Sequence, residues 1–154
     1  MGKKIYLAGF DVFRPDAVDF GHRCRELCAR YGMEGLYPLD NAAMEPGDIF
    51  AGNLLMIDRC DCVAARLDTF RGVEPDSGTC FELGYAHAKG KRIYGYLEND
   101  APLRDRLGEV DAEGFAVEDF GFPVNLMLAI PTRLVRGSLE DCLKQIWEDM
   151  GRIR

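Results

Sequence analysis

DCVAARLDTFRGVEPDSGTCFELGYAHAKGKRIYGYLE, residues 61–98, decides how this chain is read. DCVAARL (61–67) is a short apolar run that reads as a strand, and RIYGYLE (92–98), with its Ile and two Tyr, reads as another. Between them the run from Ser77 to Ala88 reads as a helix, and it carries a single formally charged side chain, Glu82. Strand, helix, strand implies two parallel neighbours in one sheet.

The same alternation continues outward. KIYLAGF (4–10) is a first strand, followed by a helix in which Phe20, Cys24, Leu27, Cys28 and Tyr31 share one face and Gly32 supplies the stop. GLYPLD (35–40) reads as a second strand, and PGDIFAGNLLMIDRC (46–60) as a helix opening on Pro and Asp. Past the fourth strand lies a long charged, irregular stretch (99–119), then GFPVNLML and a fifth strand around 129–136. Ser138 and Asp141 then form a capping-box-like start to a last helix, whose apolar stripe is Leu139, Cys142, Leu143, Ile146, Trp147 and Met150. The expected fold is α/β: one domain over 1–154, a flavodoxin-like (Rossmann-like) five-stranded parallel sheet flanked by helices. In such sheets ligands bind beyond the carboxyl ends of the strands, at the switch point of the strand order.

Composition narrows the function. A net charge of -7 and a pI near 4.9 argue against nucleic acid as a partner, which normally requires a basic stripe. No apolar run reaches the ~18 residues of a membrane span, and Lys3-Lys4 leads straight into IYLAGF, so a cytoplasmic location is expected. The six cysteines form no C-x-x-C pair and read as reduced, buried thiols. With His22 and His87 as the only histidines, no metal site is expected. There is no G-x-G-x-x-G after the first strand, no Walker A pattern, and no G-x-S-x-G around Ser77, so dinucleotide, P-loop and serine-hydrolase chemistries are set aside.

Carboxylates remain. Gly78 lies one turn before Glu82, Ala86 one turn after it and Thr79 three positions back, small neighbours that leave a hollow around the group. The positive end of the helix is expected to help keep Glu82 ionised, as a nucleophile or base requires. The residues alone leave plainer readings open: Glu82 as the solvated edge of a core helix, Asp76 or Ser77 as its cap, and Asp61 as a turn residue.

Taken in order, YLAG (6–9), PLDN (38–41), IDRCDCVAARLD (57–68), EPDSGTCFELGYA (74–86) and PVNLML (123–128) resemble the nucleoside 2-deoxyribosyltransferase family over roughly residues 5–130. D-x-G-T-x-x-E-L-G-Y-A is the most specific part. The resemblance implies a catalytic set of Glu82, Asp76, Asp61 and Tyr6. Glu82 is then the nucleophile that forms a deoxyribosyl ester, Asp61 and Asp76 protonate or orient the base, and Tyr6 hydrogen-bonds the nucleophile. It further implies that Phe13, Gly9 and Gly78 line the substrate. Asn125 and Met127 close the sugar end, Asn125 reaching the 5′-hydroxyl from a neighbouring subunit. The implied substrates are 2′-deoxynucleosides and free nucleobases, with no cofactor, in a dimer-based homo-oligomer of up to six chains. Ala42 stands where many members have a polar residue, and FRGVEPD (70–76) is longer than the loop of some members. Two alternatives stand beside transfer: hydrolysis of 2′-deoxynucleoside 5′-monophosphates by the same acid groups, and a nucleoside-binding module without chemistry.

Overall fold

The computed structural model describes residues 2–151. Its strands are β1 (Lys4–Ala8), β2 (Glu34–Leu36), β3 (Cys62–Arg66), β4 (Arg92–Leu97) and β5 (Thr132–Arg136). All pair in parallel, in the order β2-β1-β3-β4-β5. The order reverses between β1 and β3, which places the expected ligand crevice beyond Ala8 and Arg66.

Helices cover both faces, so the strands are apolar almost throughout rather than alternating. Ile5, Leu7, Cys62, Ala64, Tyr94 and Tyr96 face α1 (Ala17–Arg30) and α6 (Leu139–Met150). Tyr6, Ala8, Val63, Ala65, Ile93 and Leu97 face α2 (Pro46–Arg59) and α3 (Ser77–Ala88). Tyr6 is thus a polar-tipped residue in an otherwise apolar layer, and its ring is fully buried there. The six cysteines are free thiols, five buried and Cys80 half-buried; burial pushes the Cys28 thiol up to about 12, so it packs as a small hydrophobe.

Three segments differ from their sequence reading, each for a local reason. The second strand is only Glu34–Leu36, because Pro38 has no N–H for a ladder and opens a 3-10 turn, Pro38–Asp40, whose Asp40 takes the Tyr37 N–H at 2.9 Å. The fifth strand starts at Thr132, not near 129. Residues Leu126–Ala129 form a short helix, α5, with Asn125 as its cap, and Pro131 follows. The irregular stretch 99–119 contains the single-turn α4 (Leu103–Leu107), stopped by Gly108 at φ 85°. The capping box of α6 is formed as read, with Ser138 N–H donating to Asp141 at 2.8 Å.

Candidate active site

Glu82 sits on the sixth position of α3, facing the sheet, where it accepts a hydrogen bond from the hydroxyl of Tyr6 on β1. Burial pushes the Glu82 carboxyl up to about 7; the Tyr6 hydrogen bond holds it down, and the nearby charge of Asp76 raises it further. The sequence expectation that the helix end keeps Glu82 ionised is therefore corrected. The carboxylate lies past the first turn, where the dipole has faded, and desolvation is the largest effect on it. Tyr6 is raised as well, first by burial and then by the charge of Glu82, so its hydroxyl stays a donor throughout the physiological range.

Asp76 is the N-cap of α3. Its Oδ2 accepts from the Thr79 N–H at 2.9 Å and from the Thr79 hydroxyl at 2.8 Å, while Oδ1 has no hydrogen-bond partner among the described residues. One oxygen fixes the helix start and the other is open for chemistry. Capping and catalytic readings of Asp76 are thus compatible. Gly78, the second residue of α3, is exposed and leaves room beside Asp76, since a Cβ there would meet the Asp76 carboxylate only at an ordinary 3.4 Å.

Asp61 is not part of this group. It precedes β3, at the amino-terminal rim of the sheet, and its carboxylate takes the Lys4 N–H at 2.7 Å and the Lys3 ammonium at 3.3 Å. The Lys4 backbone hydrogen bond is the main reason its pKa is lowered, the opposite of what a proton donor needs. Asp68 lies at the opposite, carboxyl-terminal rim, just past the end of β3. Its Oδ2 accepts from Arg66 Nε at 2.8 Å and its Oδ1 from the Glu98 N–H at 2.9 Å. Arg66 also donates to the buried Asp11 at 2.8 Å, so Asp11, Arg66 and Asp68 form a chain across the β1–β3 switch point. Gly9 permits this closeness: it adopts φ 153°, and a Cβ there would lie 3.0 Å from the Arg66 Cβ. Asp68 was findable from sequence, being the last residue of the IDRCDCVAARLD motif and lying just after the third strand.

An aromatic cluster adjoins these acids. Phe13 lies on the 3-10 turn after β1 (Phe10–Phe13), is 57% exposed, and stacks with Phe70 at 5.6 Å; Phe10 stacks on the same ring at 4.6 Å. Phe10, Asp68, Val73, Pro75, Asn99 and Arg106 border a cavity of about 290 Å³. Asn125 and Met127 are elsewhere. Asn125 Oδ1 caps α5 through the Met127 N–H at 2.9 Å, and Met127 is 74% exposed. Both border a mostly apolar hollow of about 760 Å³ with Ser77, Cys80 and Gly84 of α3. Positions 80 and 84 lie about 200° around the helix from Glu82, so within one chain Asn125 and Met127 are on the far side of α3 from the nucleophile candidate.

The family model for nucleoside 2-deoxyribosyltransferase matches residues 5–127. A solved 2-desoxiribosyltransferase of Leishmania mexicana is 39% identical and superposes with a TM-score of 0.88, covering 96% of this chain and 99% of that one. An uncharacterized protein of Schizosaccharomyces pombe is 37% identical over 155 residues, 80% of this chain and 74% of that protein. A CMP N-glycosidase of Clostridium botulinum, at 19% identity and a TM-score of 0.57 over 96% of this chain and all of its own, shares the fold alone. The family match spans both sheet rims and α3, including the Tyr6–Glu82 pair, and this chain belongs to the nucleoside 2-deoxyribosyltransferase family, enzymes that act on the N-glycosidic bonds of deoxynucleosides.

Proposed function

We infer that the chain transfers the 2-deoxyribosyl group from a 2′-deoxynucleoside to a free base through a covalent ester on Glu82. The observation that carries this reading is the Tyr6–Glu82 pair: a half-buried carboxylate poised near neutrality, with Oε2 held by a tyrosine and Oε1 free of protein partners among the described residues. Ionised Glu82 attacks C1′ through Oε1. The C1′–N bond breaks as the C1′–O bond forms, and the departing base takes up a proton. The division of labour is that of a retaining glycosidase, with one carboxylate as nucleophile and another as proton carrier. Asp76 suits the carrier role because Oδ1 is open, whereas Asp68, engaged at both oxygens by Arg66 and the Glu98 N–H, suits fixing the orientation of the base. A second base entering the emptied pocket reverses the steps and gives retention at C1′.

The sugar end is completed by a second copy of the chain. Asn125 and Met127 lie on the far side of α3 from Glu82, and Phe50, Phe81, Met127 and Ile130 present exposed apolar surface on the outside of the α2, α3 and α5 region. A copy seated on this face would bring its own Asn125 toward the 5′-hydroxyl. This supports a homo-oligomeric enzyme built from dimers.

One observation favours the hydrolase alternative. Arg106 borders the cavity beside Asp68, donates to the Pro123 carbonyl at 2.9 Å, and buries its Nε with no hydrogen-bond partner among the described residues, a cation suited to a 5′-phosphate. Chromatography separates the two readings. 2′-Deoxyinosine is incubated with and without adenine, beside 2′-deoxyguanosine 5′-monophosphate. 2′-Deoxyadenosine formed only when adenine is present supports transfer. Base released from the monophosphate without exchange would sink it and assign Arg106 to the phosphate.

A further inference from the structure

Three phenylalanines meet where β1 and β3 end. Phe10 and Phe13 are three apart on a 3-10 turn, so their side chains leave it on one side. Phe70 arrives from the loop after β3. Its ring lies 4.6 Å from that of Phe10 and 5.6 Å from that of Phe13, with planes within 9° in both cases. Near-parallel stacking at this spacing is an arrangement that a flat heteroaromatic ring satisfies equally well. Arg71 covers Phe13 at 4.8 Å and Phe70 at 4.7 Å, and Arg66 covers Phe10 at 4.4 Å. The cluster is at the surface of the crevice and not sealed in the core, since Phe13 is exposed and Phe10 borders the cavity shared with Asp68.

The loop that delivers Phe70 has fixed ends and a loosely held middle. At one end Asp68 is tied to Arg66 and to the Glu98 N–H; at the other Asp76 is tied twice to Thr79. Between them Thr69, Arg71, Gly72, Val73 and Glu74 are exposed, and the turn is closed by the Phe70 N–H on the Glu74 carbonyl at 3.0 Å. Arg71 has φ 53°, a conformation that costs a non-glycine residue energy, and Gly72 has φ 148°. A loop of this kind can yield its ring to a competitor while the two aspartates stay in place.

Building on the transfer reading above, we propose that Phe70 is an internal competitor for the base subsite of this chain: its ring holds the stacking place on Phe10 and Phe13, and an incoming nucleobase takes that place by displacing it. A base is then held by the difference between its own stacking and that of the phenyl ring. A two-ring purine stacks over more area than the phenyl group and gains from the exchange. A one-ring pyrimidine is close to its equal and gains little. Displacing Phe70 costs the same whichever base enters, so this competitor weakens both base classes by one common factor, and the preference between them is left to their own stacking areas.

The test compares wild type with Phe70→Ala, Phe70→Leu, which keeps apolar bulk without a flat ring, and Phe70→Tyr, which keeps the ring. Calorimetry with free adenine and free thymine reads binding without turnover, melting curves establish that each variant is folded, and exchange kinetics separate KM from kcat. In Phe70→Ala and Phe70→Leu the Kd and KM for thymine and for adenine should both fall, by a common factor of about three- to tenfold, and kcat should hold. Phe70→Tyr should match wild type. Weaker binding of either base in the Ala and Leu variants would overturn the proposal, because Phe70 would then be a platform and not a competitor, and unchanged constants for both bases would overturn it too. A wild type that binds both bases without exchanging them would sink the transfer reading, while the calorimetric comparison would still decide the role of Phe70.

Discussion

The two rims of the sheet both carry acidic side chains, and they use them differently. At the amino-terminal rim each acid is met by donors: Asp61 by Lys3 and the Lys4 N–H, and Asp58 by Lys89 at 3.1 Å and the Tyr85 hydroxyl at 2.9 Å. Hydrogen bonds to these donors keep both carboxyls below their ordinary pKa, so they stay ionised; Asp61 ties the start of β1 to the start of β3, and Asp58 ties the end of α2 to the end of α3. At the carboxyl-terminal rim Asp76 keeps one oxygen free, and beneath it Glu82 has a single hydrogen-bond donor, a tyrosine that is itself buried. Asp58 and Asp61, each met by a lysine and a second donor, contribute stability. An acid left short of partners near the strands' carboxyl ends is available for proton transfer or attack.

The largest expected effect tests that contrast at Glu82. Glu82→Ala should reduce transfer on the order of 10⁴-fold or more in kcat/KM, since loss of a nucleophile leaves only binding and orientation; retained turnover in a folded variant would remove the covalent step. The isosteric Glu82→Gln should also change stability, with a defined sign. The folded carboxyl titrates at about 7 and the unfolded one near its ordinary 4.5, so between these values the folded state holds a proton that the unfolded state has lost, and wild-type stability falls as pH rises. Glu82→Gln should therefore be more stable than wild type above pH ~7, by up to ~3 kcal/mol, with the gap closing toward pH ~4.5. Thermal midpoints at pH 5 and pH 8 read this directly.

The next effects sharpen the carboxyl-terminal rim. Asp76→Asn and Asp68→Asn should each lower kcat on the order of 10²-fold or more, the usual worth of a positioned acid or base. If Asp76 is the proton carrier, its loss should be partly hidden with bases that leave readily without protonation, and Asp68→Asn should show no such relief. Tyr6→Phe should move the acid limb of the pH–rate profile to higher pH, because the hydrogen bond that lowers the Glu82 pKa is gone; a limb that stays in place would mean that titration of Glu82 does not set it.

The smallest effect is the control. Asp61→Asn should leave kcat and KM within about twofold and cost ~1–2 kcal/mol of stability, the range for a hydrogen-bonded carboxylate lost from the Lys4 N–H. A large activity loss with stability intact would return Asp61 to the catalytic set and break the distinction between the rims.

Much of this was legible in the chain. Alternating strands and helices, the stripe on α6, its capping box and the lone acid of α3 are local patterns, and local geometry governs them. The short helix at Leu126–Ala129 was missed because four residues are too few to show a period, and Asn125 and Pro131 mark it only once the fold is known. Asp61 and Asp68 show why residue type alone misleads. Both are aspartates in one motif, yet they flank the same strand at opposite ends, and in a parallel sheet only the carboxyl end opens on the crevice.

Fold class and family were readable without coordinates, because periodicity and motif order survive in the chain, and the family resemblance already joined Tyr6 to Glu82. Only folding puts Asp68 and Asp76 at one rim of the sheet and Asp61 at the other, brings the Glu82 carboxyl near neutrality, and lays Phe70 on the aromatic shelf after β1. Proton affinity, open lone pairs and stacking depend on what surrounds a group in space. Those surroundings come from residues tens of positions away in the chain, and only folding brings them together.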